Sequence, residues 1–314
     1  MNRSIKIYGF IIIQFTIGFL YNHYADAQSS YFNSRHALIG ARAASLADAL
    51  VAEAYDANTM YSNPAALVHL TKSSLVLNHN QERYYDGMTE NVGLPVRTGF
   101  SEAMVFGLSV SHIGYLKKVS TTNTRPFQIG YDFAYAREIM PTFSVGARIG
   151  VDYGQAGSTN LLGASASLGI CYSPSPEITY GAAFNGIGTG IHYNISGGTT
   201  AIRLDNLPHS LQAGVAMRYP AIPNQNIVTV AISNEKIFGQ TGIQYTGGVE
   251  IYPIQFLAIR GGYTVKNLEK SGRIGFGVRS GYGNFDISIS PSRSTDQSIF
   301  LTGSFVLWKT ETRY

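Results

Sequence analysis

Charge is the first thing this chain lacks. Only 13% of its 314 residues are Asp, Glu, Lys or Arg, while 12% are aromatic, including 21 Tyr and 16 Phe. An ordinary soluble domain carries about 25% charged residues, so much of this surface meets something other than water. Cysteine is nearly absent: Cys171 stands alone, which excludes an intrachain disulfide. Apolar runs of the roughly 18 residues needed for a spanning helix are missing after residue 27. Nucleic acid is excluded as a partner, because no basic cluster exists and the formal charge is only +4. Removal of residues 1–27 would take it to +3, by loss of Arg3, Lys6 and Asp26.

Residues 1–27 have the composition of a secretory signal peptide: Arg3 and Lys6, an apolar stretch over 7–20, then Ala25-Asp26-Ala27 before Gln28. The expected mature chain is exported, either as a soluble domain or as a transmembrane barrel.

What is present in abundance is alternation. Over residues 143–153, Phe143, Val145, Ala147, Ile149, Val151 and Tyr153 alternate with Ser144, Gly146, Arg148, Gly150 and Asp152. One face of such a strand is apolar and the other polar or tiny. The pattern returns over 162–172, 178–184, 211–219, 243–251, 257–265 and 274–278. A soluble sandwich would alternate in the same way, so the polar face decides more. It is rich in Gly and Ser, with sparse charges at Asp132, Arg148, Asp152, Arg218, Glu250, Arg260, Arg273, Arg279 and Asp286. That suits a crowded polar lumen better than a solvated sheet.

Candidate strands span 73–81, 88–97, 102–113, 127–138, 142–153, 161–173 and 177–186, then 207–219, 225–237, 241–252, 255–266, 270–282, 284–290 and 297–309. The expected fold is all-β, a transmembrane antiparallel β-barrel of about 14 strands with an N-terminal plug segment. Met140-Pro141, Ser-Pro-Ser-Pro at 173–176 and Tyr252-Pro253 read as short periplasmic turns. Residues 116–126 and 186–206 read as extracellular loops. Tyr115, Tyr153, Tyr172, Tyr219, Tyr252 and Tyr282 suit interfacial girdles, or plain β-propensity.

Residues 40–67 break the alternation. They are rich in small residues, carry Arg42, Asp48, Glu53 and Asp56, and end in Asn63-Pro64-Ala65, where Asn63 can cap a short helix and Pro64 can take its first position. Two placements fit: a plug inside a barrel, or a helical hairpin packed on a soluble sheet. With the barrel reading, the expected organisation is a signal peptide over 1–27, a plug or hatch over 28–71 and an outer-membrane barrel over 72–314. Gly40, Arg42, Asp56, Asn63 and Pro64 are the candidate hatch residues. Arg42, Asp56 and Asn63 are expected to hold the hatch to lumen residues such as Glu250 or Arg260, since a buried charge needs a partner. Arg148 and Asp152 are candidates for a mutual ion pair in the lumen.

Gly40-Ala-Arg-Ala-Ala-Ser-Leu46, Tyr55-Asp56-Ala57-Asn58 and Tyr61-Ser-Asn-Pro-Ala-Ala-Leu67 together resemble the N-terminal signature of the PorV/PorQ-like family of outer-membrane proteins, within the wider FadL-type barrel group. Leu207-Pro208 before Leu211-Gln-Ala-Gly-Val215, Gly248-Val-Glu250 before Leu257-Ala-Ile-Arg-Gly-Gly-Tyr263, and Ser271-Gly-Arg-Ile-Gly-Phe-Gly277 are similar too. The chain departs from the family at Ala47-Asp48, where paired glycines are common, and at Phe285-Asp286, which keeps part of a Leu-Asp-Tyr pattern.

The resemblance implies an outer-membrane location in a Gram-negative cell and one of two roles. PorV-like members act in type IX secretion, with a translocon, an attachment complex or exported cargo as partners beside outer-membrane lipid. FadL-like members take up hydrophobic small molecules. The short chain, without a long apolar loop to capture ligand, favours the secretion-associated role. An enzyme is not expected. There is no G-x-S-x-G or H-E-x-x-H, and His23, His36, His69, His79, His112, His192 and His209 do not cluster at metal-ligand spacing. No metal or other cofactor is implied.

Overall fold

The computed structural model describes residues 40–54, 56–82, 87–99, 101–112, 127–156, 159–195, 204–205, 209–220, 227–267, 269–290 and 298–309. The signal peptide expected over 1–27 and the loop expected over 116–126 lie outside these residues. The strands are β1 (Lys72–Glu82), β2 (Gly87–Arg97), β3 (Glu102–His112), β4 (Phe127–Met140), β5 (Phe143–Ala156), β6 (Thr159–Ser175) and β7 (Ile178–Ile195). After the two-residue β8 (Leu204–Asp205) come β9 (Ser210–Tyr219), β10 (Val228–Ile237), β11 (Gln244–Ile254), β12 (Leu257–Lys266), β13 (Glu269–Arg279), β14 (Gly283–Ile289) and β15 (Ser298–Lys309).

Each strand pairs antiparallel with its neighbours, β7 pairs with both β6 and β9, and β1 pairs with β15. Fourteen strands therefore close into a ring, and β8 only extends the far end of β7. Closure leaves no open edge, which backbone in hydrocarbon requires. The alternation sorts the side chains as a bilayer demands. Tyr131, Ile149, Leu162 and Leu168 stand exposed on the outside, while Asp132, Arg148, Ser165 and Ser167 are buried inside. The wall meets outer-membrane lipid with an apolar surface, and the chain is an outer-membrane barrel. β1 begins and β15 ends at the end that carries the tight connections between β4 and β5, β6 and β7, and β11 and β12, the periplasmic end in such barrels.

Two sequence expectations need correction. Pro174 and Pro253 lie within β6 and β11, and the turns fall just beyond them, at 176–177 and 255–256. Strand ends tolerate Pro because the ladder is about to stop there. Residues 186–195, read as part of a loop because of their glycines, continue β7 instead. In an antiparallel ladder the neighbouring strand supplies the hydrogen bonds that a Gly-rich sequence does not advertise.

The lumen is filled by the N-terminal segment: α1 (Ala41–Ser45), α2 (Thr59–Ser62) and a 3-10 helix (Pro64–His69). The Asn63 side chain accepts a hydrogen bond from the Ala65 N–H at 3.0 Å, with Pro64 at the first position. Leu46, Leu50, Met60 and Leu67 are fully buried, so this segment and the wall share one core. The backbone turns between α1 and Leu50 with Ala47 at φ 53 and Asp48 at φ 61, a region that costs a non-glycine residue about 1–2 kcal/mol. The PorV/PorQ-like pattern commonly has glycine at these two positions.

Inward glycines let the segment lie against the wall. A Cβ added at Gly146 would come within 3.0 Å of the Ala65 backbone, at Gly181 of Val51, and at Gly262 of Leu46 and Ala47. Gly247, on the outer face, has nothing within 4 Å of such a Cβ. Gly146→Ala is therefore expected to lower barrel stability by about 1–3 kcal/mol, whereas Gly247→Ala stays within about 0.5 kcal/mol. Urea unfolding followed by the mobility of unheated samples in gels measures both.

Candidate functional site

The plug is held by a ladder of six alternating charges. Asp286 Oδ1 accepts from Arg260 Nη1 at 2.6 Å, and Arg260 Nε donates to Glu250 Oε1 at 2.6 Å. Glu250 also accepts from Arg42, at 2.9 Å from Nε and 2.5 Å from Nη2. Arg42 Nη2 lies 3.5 Å from Glu53 Oε1, and Glu53 Oε2 accepts from Arg218 Nε at 2.6 Å. Three cations and three carboxylates alternate, so every buried charge has opposite neighbours. Arg42 and Glu53 belong to the plug; the other four come from β9, β11, β12 and β14. Burial works against the Arg42 charge, but Glu250 and Glu53 outweigh it and hold its pKa above the usual value.

The other half of the wall binds the plug through a run of uncharged side chains that ends at the Asp132–Arg148 ion pair. The Ala41 N–H donates to Thr302 Oγ1 at 2.7 Å, and Thr302 Oγ1 donates to Asn78 Oδ1 at 2.7 Å. Asn78 exchanges hydrogen bonds with Asn58 of the plug at 3.0 and 3.1 Å and donates to Asn91 at 2.9 Å. Asn91 donates to the Tyr61 hydroxyl at 3.2 Å, which donates to Asp132 at 3.0 Å. Arg148, only 2% exposed, lies 3.2 Å from Asp132 and over the Tyr61 ring at 5.0 Å.

Of the hatch residues named from sequence, Gly40 precedes α1 at φ 91, Arg42 joins the ladder, and Asn63 donates to the Val51 and Ile170 carbonyls at 2.7 and 3.1 Å. Asn63 also reaches the buried Cys171 sulfur at 3.2 Å. Asp56 does not reach the wall by hydrogen bonds: its Oδ1 accepts from the Asn58 N–H at 2.7 Å, and its own N–H donates to Thr59 Oγ1 at 3.4 Å. An Asp side chain bonds its own backbone two residues on more readily than a distant group. Arg148 pairs with Asp132, which sits on the adjacent β4. Arg273 lies 6.0 Å from the Phe300 ring, and Arg279 is 4.0 Å over Tyr252. Glu53, Tyr61 and the asparagines Asn58, Asn78 and Asn91 hold contacts that the sequence alone does not assign to them. The inward parity of Asn78 and Asn91 on β1 and β2 was the available signal.

Two concavities flank this arrangement. Below the plug, a polar vestibule of about 280 Å³ is lined by the ladder together with Asp56, His69, Tyr252 and Arg279. On the outer wall, an open apolar concavity of about 890 Å³ spans β2 to β7, between Phe106, Tyr131, Ile149, Ala164, Ala166 and Ile187. The β6–β7 pairing beside it shifts register between Leu162 and Ala164 and again between Ala166 and Leu168, each time with one extra residue on β7, as in a β-bulge.

No family model and no curated protein matches this sequence. Solved structures do match. The chain is similar to the CymD monoaromatic hydrocarbon channel, with a TM-score of 0.64 at 14% identity over 88% of this chain and 98% of that one. It is similar to a Pseudomonas aeruginosa FadL homologue, TM-score 0.57, 11% identity, 86% of this chain and 98% of that one. The toluene transporter TbuX of Ralstonia pickettii gives 0.58 at 12% identity, over 83% and 97%. At such identities the likeness is one of fold, and the fold is that of the FadL-type outer-membrane barrels. Two of these neighbours are described as a channel and a transporter, and the third as a FadL homologue; they support the FadL-type group without singling out its PorV/PorQ-like branch.

Arg42→Ala leaves Glu250 and Glu53 without their shared cation. It is expected to cost about 3–5 kcal/mol and to add conductance in planar bilayers. Arg137→Ala, at a pair with Glu102 on the exposed rim, is expected to cost under about 1 kcal/mol. Thermal unfolding and bilayer recordings compare the two.

Burial pushes the Asp56 carboxyl up to about 7. A free carboxyl titrates near 3.9, so between these values the folded protein holds a proton that the unfolded chain has lost. Stability from this group therefore falls as pH rises from about 4 through about 7. Asp56→Asn, which keeps an oxygen for the Asn58 N–H, is expected to raise the melting temperature at pH 8 and leave it nearly unchanged at pH 4.

Proposed function

We propose that this barrel passes a hydrophobic small molecule across the outer membrane, as FadL-type channels do. The observation that carries the reading is the apolar concavity beside the bulged β6–β7 seam. On β5 and β6 the wall behind it is built from Gly150 and Ser165, which leave little side chain between lumen and lipid, whereas Gly107 is backed by Met60 of the plug. A molecule leaving the lumen through this seam would enter the bilayer without displacing the plug. The descriptions of the similar structures, hydrocarbon channels among them, favour a small apolar cargo.

A second reading, a component of type IX secretion, is favoured by the hatch. Arg42, Asn63 and Pro64 lie in the segments that resemble the PorV/PorQ-like signature, and Arg42 and Asn63 tie the plug to the wall. A plug so tied suits a barrel that presents its surface to cargo or to an attachment complex.

The test is uptake of labelled hydrophobic compounds by a Gram-negative host that lacks its own hydrophobic channel. The barrel is expected to raise uptake several-fold over empty vector, and Ala164→Trp with Ala166→Trp to remove most of the gain. Uptake at vector level for aliphatic and aromatic probes alike, with loss of exported proteins from the secretome of a deletion strain, would overturn it in favour of the second reading.

A further inference from the structure

Above the plug, the inner faces of β7, β9 and β10 carry buried oxygen atoms without a hydrogen-bond partner: Asn185 Oδ1, Ser210 Oγ, Gln212 Oε1 and Glu235 Oε1. The four belong together. Asn185 is the cross-strand partner of Ser210, and Gln212 that of Glu235, with Ser210 and Gln212 two apart on β9. Cross-strand partners have Cβ atoms about 4.5–5.5 Å apart, so the group forms one patch three strands wide. Ser210 is fully buried, Asn185 is 5% exposed and Gln212 8%. All three alternate with outward neighbours, so they point into the lumen. Their level lies just above the plug: Gly214, two residues below Gln212, faces Val51, and Asn185 Nδ2 donates to the Ser62 carbonyl at 3.4 Å.

We propose that this patch binds a ligand through an ammonium head group. Amide and carboxylate oxygens accept hydrogen bonds and do not donate them, and a buried acceptor left unmet costs about 1–3 kcal/mol. A primary ammonium brings three donors and the charge opposite to Glu235, whereas a carboxylate ligand would bring only more acceptors. A metal ion suits the patch less well, since no group of three or more His, Cys, Asp or Glu among the described residues could hold one.

The plug contributes Asp48, whose carbonyl accepts from Ser233 Oγ at 3.5 Å, two residues before Glu235. The charged groups facing this floor are Asp48, Glu235 and, from β13, Arg273, which acts on Asp48 in the opposite sense. Lys236 is held elsewhere, by the Gln240 and Gly242 carbonyls at 2.8 and 3.2 Å. Burial and the nearby Glu235 push the Asp48 carboxyl up to about 7. With Arg273 offsetting one negative charge, an ammonium ion meets a floor that is one unit more negative above that pH than below it. On β7 the patch sits next to Ile187 and Gly188, which line the outer concavity. A head group held here would leave its tail beside the bulged seam.

The inference deepens the uptake reading and rests on it, yet the two fail separately, because calorimetry reads binding alone. The full-length barrel in detergent is titrated with n-hexylammonium and with n-hexanoate, which share a tail and differ in head group. Hexylammonium is expected to bind at least about tenfold tighter, as one charge-assisted hydrogen bond allows, and tighter at pH 8 than at pH 6. Glu235→Gln and Gln212→Leu are each expected to weaken it by about tenfold and to leave hexanoate unaffected. Hexanoate binding as tightly, no measurable heat from hexylammonium, or unchanged affinity in both variants would overturn the proposal. Should a variant fail to fold, the head-group and pH comparisons on the unaltered chain decide. Uptake of hydrophobic probes without head-group preference would sink this inference and keep the uptake reading.

Discussion

A guanidinium shut inside a barrel has little water to share its charge, and Arg42 meets that constraint through Glu250 and Glu53. Each of those carboxylates is shared with a second arginine, so the demand passes along Arg260 to Asp286 on one side and ends at Arg218 on the other. Because the members alternate in sign and sum to zero, the chain satisfies itself without an external ion. Removing any interior member breaks the alternation and leaves a net buried charge, which is more costly than losing a surface pair. Charge is scarce in this sequence, and six of its charged residues are committed here.

The ladder covers one side of the ring, and the Thr302–Asn78–Asn91–Tyr61–Asp132 chain covers the other. Inward glycines on β5, β7 and β12 let the plug backbone close the remaining distance. Plug and wall therefore form one core, polar at its contacts and apolar at Leu46, Leu50, Met60 and Leu67. This has a functional corollary. A route straight through the barrel would break both chains of interactions, whereas a sideways route at the β6–β7 seam breaks neither. The apolar concavity and the unmet luminal oxygens lie on opposite faces of that same region of wall.

The strands were legible because a bilayer outside and a polar lumen inside force a period of two, as over residues 143–153. Where the lumen face is glycine, as in the outer half of β7, the same period vanishes into what looks like a loop. Pro174 and Pro253 misplaced the turns by a residue or two, since Pro marks the end of a ladder without fixing which residue ends it. The site was legible only in part. That Arg42 needs a partner in the lumen followed from its burial; which residue supplies it did not. The contact of Arg148 with Asp132 did not, because it depends on cross-strand register, which one strand's sequence does not contain. Asp56 was given a distant partner when its own backbone was nearer.

The account depends on the plug being as fixed as the wall that surrounds it, and hydrogen–deuterium exchange read by mass spectrometry tests that directly. Amides of residues 41–54 and 57–70 are expected to exchange as slowly as those of β5 and β11 in the same sample. Exchange of the plug within seconds, while those strands stay protected, would show that the ladder does not hold it and would contradict the account.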